Sequence, residues 1–220
     1  MAKHTLYLLF VGFYLFCCDE AAFPARPQVT SPPGPESSPS YYAVDPAFEY
    51  SNSAEILLDV DFRNMELNIF GPDGHVRVRA KLKNGIFGST GKTKDWIAVN
   101  GISYFDFGDQ KPRFALVSFL WDSTGARADS HGGVQLFTIE NKWLTVVQQI
   151  LFSTKHFGAG AIFDSATRTL LINSSHHTRL DPHCCPSQQD VVRFDWKGNK
   201  FAQAASKTLP VARPGNLQIR

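Results

Sequence analysis

The densest run of reactive side chains is Ser174-Ser175-His176-His177 followed by Asp181-Pro182-His183-Cys184-Cys185-Pro186-Ser187. Imidazole and thiolate are ligands for soft and borderline metals, so His176, His177, His183, Cys184 and Cys185 make a candidate metal set. The spacing argues against it. The usual two-residue gap between paired cysteines is absent, and neighbouring cysteines do not easily face one tetrahedral ion. A disulfide is the second chemistry. Exported chains oxidise their thiols, and beyond Cys17 and Cys18 the sequence offers only Cys184 and Cys185. These two have each other or another chain as partner. A vicinal bridge closes a strained ring, and strained, exposed disulfides are the reducible ones. A vicinal bridge leads this reading, with two free thiols close behind. A thiol nucleophile beside His183 is a third chemistry, but sequence adjacency says nothing of geometry.

Two further stretches attract attention. Tyr104-Phe105-Asp106-Phe107-Gly108-Asp109-Gln110-Lys111-Pro112-Arg113 has the outline of a calcium loop stripped of most carboxylates. Calcium asks for six or more oxygens, so a turn feeding the next strand is expected instead. Asn173-Ser174-Ser175 matches a glycosylation sequon, relevant only in a eukaryotic secretory pathway. No nucleophile elbow, phosphate-binding loop, dinucleotide fingerprint or paired-histidine zinc helix occurs. No catalytic residue is assigned, no cofactor is called for, and the expectation is a protein that is not an enzyme.

The elements that would position these residues are strands. With 18 phenylalanines and two methionines, the core-forming residues favour pleated surfaces over helices. His75 to Leu82 alternates charged and apolar residues, the pattern of a half-buried strand, and Met65, Leu67 and Ile69 alternate before it across Gly71-Pro72-Asp73-Gly74. Leu58, Val60 and Phe62 alternate with Asp59 and Asp61 and read as an earlier strand. Phe114 to Trp121 is nearly all apolar and fits a central strand covered on both faces. Val134–Ile139 and Trp143–Phe152 flank a turn at Asn141-Lys142. The second run has helical periodicity too, but its β-branched residues favour a strand. Ala161–Phe163 and Thr169–Ile172 flank another turn. Val192, Phe194 and Trp196 precede a Gly198-Asn199 turn that would pair Trp196 with Phe201. The expected fold class is all-β: an antiparallel meander, curled or stacked as a sandwich or propeller-like assembly.

The N-terminus carries a different message. Leu6 to Phe16 is an unbroken apolar run behind Lys3. It is short for a membrane span and suited to the apolar region of a signal peptide. Cys17 and Cys18 follow at once, with Leu15 three residues before Cys18, as in a lipoprotein signal. Cys18, or failing it Cys17, is the lipidation candidate. A cleaved secretory signal and an uncleaved anchor are the other readings. Residues 19–46 are rich in proline, serine and small residues and read as a flexible tether. The β-rich domain is expected over 47–208 and a loose tail over 209–220. A net charge of +2 gives no electrostatic reason for nucleic acid as partner.

Tyr104-Phe105-Asp106-Phe107-Gly108-Asp109, Phe114-Ala115-Leu116-Val117, Cys184-Cys185-Pro186-Ser187 and Arg193-Phe194-Asp195-Trp196-Lys197-Gly198 occur in an order that resembles the LppP/LprE-type bacterial lipoproteins, over residues 100 to 203. This chain lacks most carboxylates of the calcium-like loop and any cysteine near Phe114–Trp121. The resemblance implies an exported protein of the cell envelope or periplasm, held to the membrane through its N-terminus, and it transfers no activity. The expected function is a binding or interaction module whose partner is another envelope protein, a glycan or a small ligand. The alternative is an envelope redox or metal-binding protein using His183-Cys184-Cys185.

Overall fold

The computed structural model describes residues 40–89, 94–108, 111–124, 129–155, 159–182 and 185–211, all within one compact unit, Ser37–Arg220. The apolar run, Cys17, Cys18 and residues 19–39 lie outside them. So do His183, Cys184 and most of the tail.

Thirteen strands follow in order: β1 (Tyr41–Val44), β2 (Phe48–Ser53), β3 (Glu66–Phe70), β4 (Val76–Lys81), β5 (Ile86–Gly88), β6 (Lys94–Gly108), β7 (Lys111–Thr124), β8 (Asp129–Glu140), β9 (Trp143–Ser153), β10 (Gly160–Asp164), β11 (Thr169–His176), β12 (Gln188–Trp196) and β13 (Phe201–Pro210). Every pairing is antiparallel. A seven-stranded sheet runs β1-β9-β8-β7-β6-β5, with β2 also on β9; β10-β11-β12-β13 form a second sheet and β3-β4 a hairpin. The protein is all-β, as its composition implies, and its sheets are open.

The large sheet is covered on both faces. On one, Ala115, Val117 and Phe119 of β7 join Phe137, Leu144 and Leu151 and meet Leu67, Ile69, Phe70 and Ala80 of the hairpin. On the other, Phe114 and Leu116 join Leu136, Ile150 and Phe152 against Leu170, Ile172, Val192 and Phe194 of the second sheet. Successive residues of a strand point to opposite faces. A strand buried twice therefore has no polar phase, which is why Phe114–Trp121 reads as continuous apolar sequence. In β8, Gly132 and Gly133 supply room rather than flexibility. An added Cβ at Gly132 would lie 2.3 Å from the Phe152 ring, and one at Gly133 2.2 Å from the Phe119 ring. Each glycine is a flat spot under an aromatic side chain, and strand β8 begins at Asp129, five residues before its apolar run.

Several expectations are corrected. Leu58, Val60 and Phe62 do not form a strand: Leu57–Asp59 is a single 3-10 turn. The Asp61 carboxylate accepts hydrogen bonds from the Arg63 N–H and the Asn64 side-chain amide. Such local bonds offer the backbone an alternative to a ladder. Leu57 and Phe62 are both buried while Leu58 is exposed, so burial does not follow the alternation. Residues 104–108 close β6 and residues 111–113 open β7, with Phe105 opposite Phe114 and Gly108 opposite Lys111, so the expected turn falls on Asp109 and Gln110, outside the described residues. Asp106 takes φ +55° and pairs with Arg168 at 3.1 Å. The tether boundary at 46 falls too late, because Tyr41–Val44 pairs with Leu151–Gln149 and neighbouring Phe152 on β9. These four residues hold no proline and can join a ladder. The loose tail begins too early at 209, since β13 continues to Pro210 and the Val211 N–H donates to the Ser187 carbonyl.

Candidate functional site

Strands β11 and β12 pair down to His176 opposite Gln188, and the connection between them carries the His-Cys-Cys-Pro segment. Asp181 organises the connection. Its carboxylate accepts from the Thr178 N–H at 2.7 Å, the Ser187 N–H at 3.0 Å and the Ser187 hydroxyl at 3.1 Å. These donors, the Ser187 amide first and the Thr178 amide next, hold its carboxyl far below the usual carboxylate range. The Cys185 N–H donates to the Pro182 carbonyl, and Pro186 is buried. The segment before β12 is thus pinned on both sides of the cysteine pair. Cys185 itself is exposed.

Beneath the base of this connection lies a polar centre that sequence reasoning missed. Asp190 is 9% exposed and shares the inward phase of β12 with Val192 and Phe194. One carboxylate oxygen accepts from the Ser40 hydroxyl and lies 2.8 Å from His176 Nδ1; the other accepts from the Thr208 hydroxyl at 2.6 Å. Burial works against the charged form, and the three hydrogen bonds together with the charge of His176 outweigh it, so the carboxyl titrates below its ordinary value. The Tyr41 phenol faces the same carboxylate electrostatically and is raised, chiefly by its own burial and then by Asp190. The Ser40 carbonyl accepts from the Ser153 N–H at 3.0 Å and the Ser174 hydroxyl at 2.7 Å. Ser40, the first described residue, is therefore fixed to β9, β11 and β12 together. One signal pointed here: an acid in the apolar phase of a strand has to be paired.

The sign of the linkage follows from the depressed pKa of Asp190. The bonds it accepts contribute stability above its unfolded value, about 3.9, and that contribution is lost as pH falls through the folded value. Asp190→Asn is expected to lower stability at pH 7 by about 1–3 kcal/mol and to flatten the loss of stability of the native chain below pH 5. Chemical unfolding across pH 2–7 checks this. Parallel curves for the two proteins would refute it.

Of the proposed metal set, His176 is committed to Asp190, His177 is half-buried, and His183 and Cys184 are outside the described residues. Among the described residues no group of three or more His, Cys, Asp or Glu side chains could hold a metal ion. His176 and Asp190 do not form a hydrolase triad with Ser40, because the serine hydroxyl donates to the carboxylate and not to the imidazole. Asn173 lies within β11, which is paired on both edges. No described helix is long and apolar enough to cross a membrane. No family model, curated protein or solved structure matches this chain.

Proposed function

We propose that this chain is an exported, membrane-tethered protein of the bacterial envelope, of the LppP/LprE lipoprotein type, whose β domain is a binding module without a catalytic centre. The Leu6–Phe16 run, the lipidation candidate Cys18 with Cys17 as the alternative, and the proline-rich stretch before Ser40 support export and tethering. The observation that carries the binding reading is an apolar face at one end of the large sheet. Ile86 lies opposite Ala98, and Ala98 opposite Leu120, while Trp96 lies one row further along the same face. Ile86 is 52% exposed, Trp96 40% and Leu120 37%. Neighbouring rows of this face are covered by the second sheet, and a contiguous exposed apolar patch is how interaction surfaces announce themselves. The occupant is an envelope protein, a glycan or a small ligand. Crosslinking from intact cells should recover a specific partner with the native chain and lose it with Trp96→Ala/Leu120→Ser. Equal recovery by the double variant, or no specific partner, would sink this reading.

The redox alternative is kept because the sequence offers Cys184 and Cys185 side by side and Cys185 is exposed. Cys184 is the partner that the sequence favours. Intact mass before and after reduction and alkylation tests it: a protein that gains no pair of hydrogens per chain carries no such bridge.

A further inference from the structure

Strands β7 and β8 part company before they end. Their ladder stops at Ala115 opposite Phe137. β7 nevertheless continues back to Lys111 on β6, and β8 continues to Glu140 on β9. A bulge between Leu136 and Phe137 in the β8–β9 register sits at the fork, and bulges bend and twist the strand that carries them. Beyond the fork the Thr138 hydroxyl donates to the Arg113 carbonyl at 3.1 Å, a side chain replacing a ladder bond. The result is a cleft of about 340 Å³ whose apolar lining comes from Ile56, Leu57, Pro112, Phe114 and Ile139. That size lies at the lower end of small-molecule sites.

Lys111 and Arg113 line this cleft from the same side of β7, two residues apart. Glu55 lines it too, yet none of the three forms an ion pair among the described residues. Among the described residues that line it, two cations and one carboxylate leave one net positive charge beside apolar walls. We propose that the fork between β7 and β8 binds a small apolar monocarboxylate, its carboxylate held by Lys111 and Arg113 and its apolar body against the half-buried Ile56 and Ile139. Glu55 disfavours a second negative charge, which separates this ligand class from phosphates. The site is distinct from the Trp96 face, and either can fail without the other.

NMR titration of the purified full chain tests the proposal with three probes: N-acetyl-leucine, N-acetyl-leucinamide and inorganic phosphate. N-acetyl-leucine should bind saturably and shift the Thr138 methyl resonance, with the amide and phosphate at least about tenfold weaker. Lys111→Ala/Arg113→Ala should lose about tenfold or more, while Arg77→Ala/Arg79→Ala, with the same change in net charge, should stay within about twofold. Absence of saturable binding, equal binding of the amide, an unmoved Thr138 methyl, or equal loss in the control variant would each overturn the assignment. The Thr138 readout needs no variant and holds whether or not the double alanine folds.

Discussion

Replacing Gln149 by leucine is expected to cost the fold about 3–4 kcal/mol, although the substitution makes a buried site more apolar. Strand β3 bonds to β4 along one edge only. Its other edge faces the large sheet, where Asn68 and Phe70 are buried and no described strand pairs with it. Side chains complete it. The Gln149 amide oxygen accepts from the Phe70 N–H at 3.1 Å, and its nitrogen donates to the Phe70 carbonyl at 2.8 Å. The Tyr50 hydroxyl accepts from the Asn68 N–H, and the Gln135 amide donates to both the Asn68 carbonyl and the Gln149 oxygen. Leucine at 149 leaves the Phe70 N–H and one Gln135 N–H unpaired and the Phe70 carbonyl with only the Tyr42 hydroxyl. Each unmet buried group costs about 1–3 kcal/mol. Gln149→Glu should be worse, since it adds a buried charge. Tyr42→Phe, which removes one of two donors to a carbonyl, should cost about 1 kcal/mol. Denaturant unfolding of the three variants measures the order. A loss below about 1 kcal/mol for Gln149→Leu would mean that the hairpin does not depend on this clamp.

The neighbouring Gln148 does the same on the opposite face. Its oxygen accepts from the Phe201 N–H at 2.9 Å and its nitrogen donates to the Phe201 carbonyl at 3.0 Å, at the start of β13. Two adjacent glutamines on one strand thus grip the backbone of the layer above and of the layer below. A primary amide suits this task because it carries a donor and an acceptor side by side, as a strand edge does.

These clamps also explain where sequence reasoning reached and where it stopped. Alternation carried the β3–β4 hairpin, and the run Trp143–Phe152 could be assigned to a strand despite its helical spacing. Trp196 and Phe201 do sit opposite each other, with rings 5.2 Å apart. In all of these the information is local: apolar phase, turn residues, neighbours in the chain. The buried glutamines look like solvent-facing positions, since their partners are backbone groups of segments 53 to 79 residues away. A bulge between Val99 and Gly101 shifts the phase of β6, so that Trp96 and Ala98 share a face with Ser103 and Phe105. No period-two template follows a strand across such a shift. The polar centre was half legible. His176 stood out as a reactive side chain, but Ser40 lies 150 residues from the carboxylate that binds it. The cleft at the β7–β8 fork was not legible at all, because it exists only where two paired strands separate. Lys111 and Arg113 sit at the end of the calcium-like stretch in the sequence, and their shared property is that neither forms an ion pair among the described residues.

Phe105→Ala carries the other large expected effect, about 3–5 kcal/mol, and it should be unevenly distributed through the protein. Phe105 belongs to the large sheet and is 2% exposed. Its ring centre lies 5.6 Å from that of Phe114 beside it, 4.9 Å from Phe163 on β10, 5.0 Å from Trp196 on β12 and 6.1 Å from Phe201 on β13. Three strands of the second sheet therefore meet at one side chain of the first. Phe137 is as deeply buried, but on the opposite face, against Phe62 and Tyr50. Truncating either ring leaves a cavity that a close-packed interior only partly refills, so the two global costs should be similar. Their local consequences should differ. Phe105→Ala should lower amide-exchange protection in β10 to β13 and change the emission of Trp196. Phe137→Ala should leave those strands protected and loosen the β3–β4 hairpin instead. Equal loss of protection in both regions for both variants would show that the layers unfold as one cooperative unit and that Phe105 is not their joint.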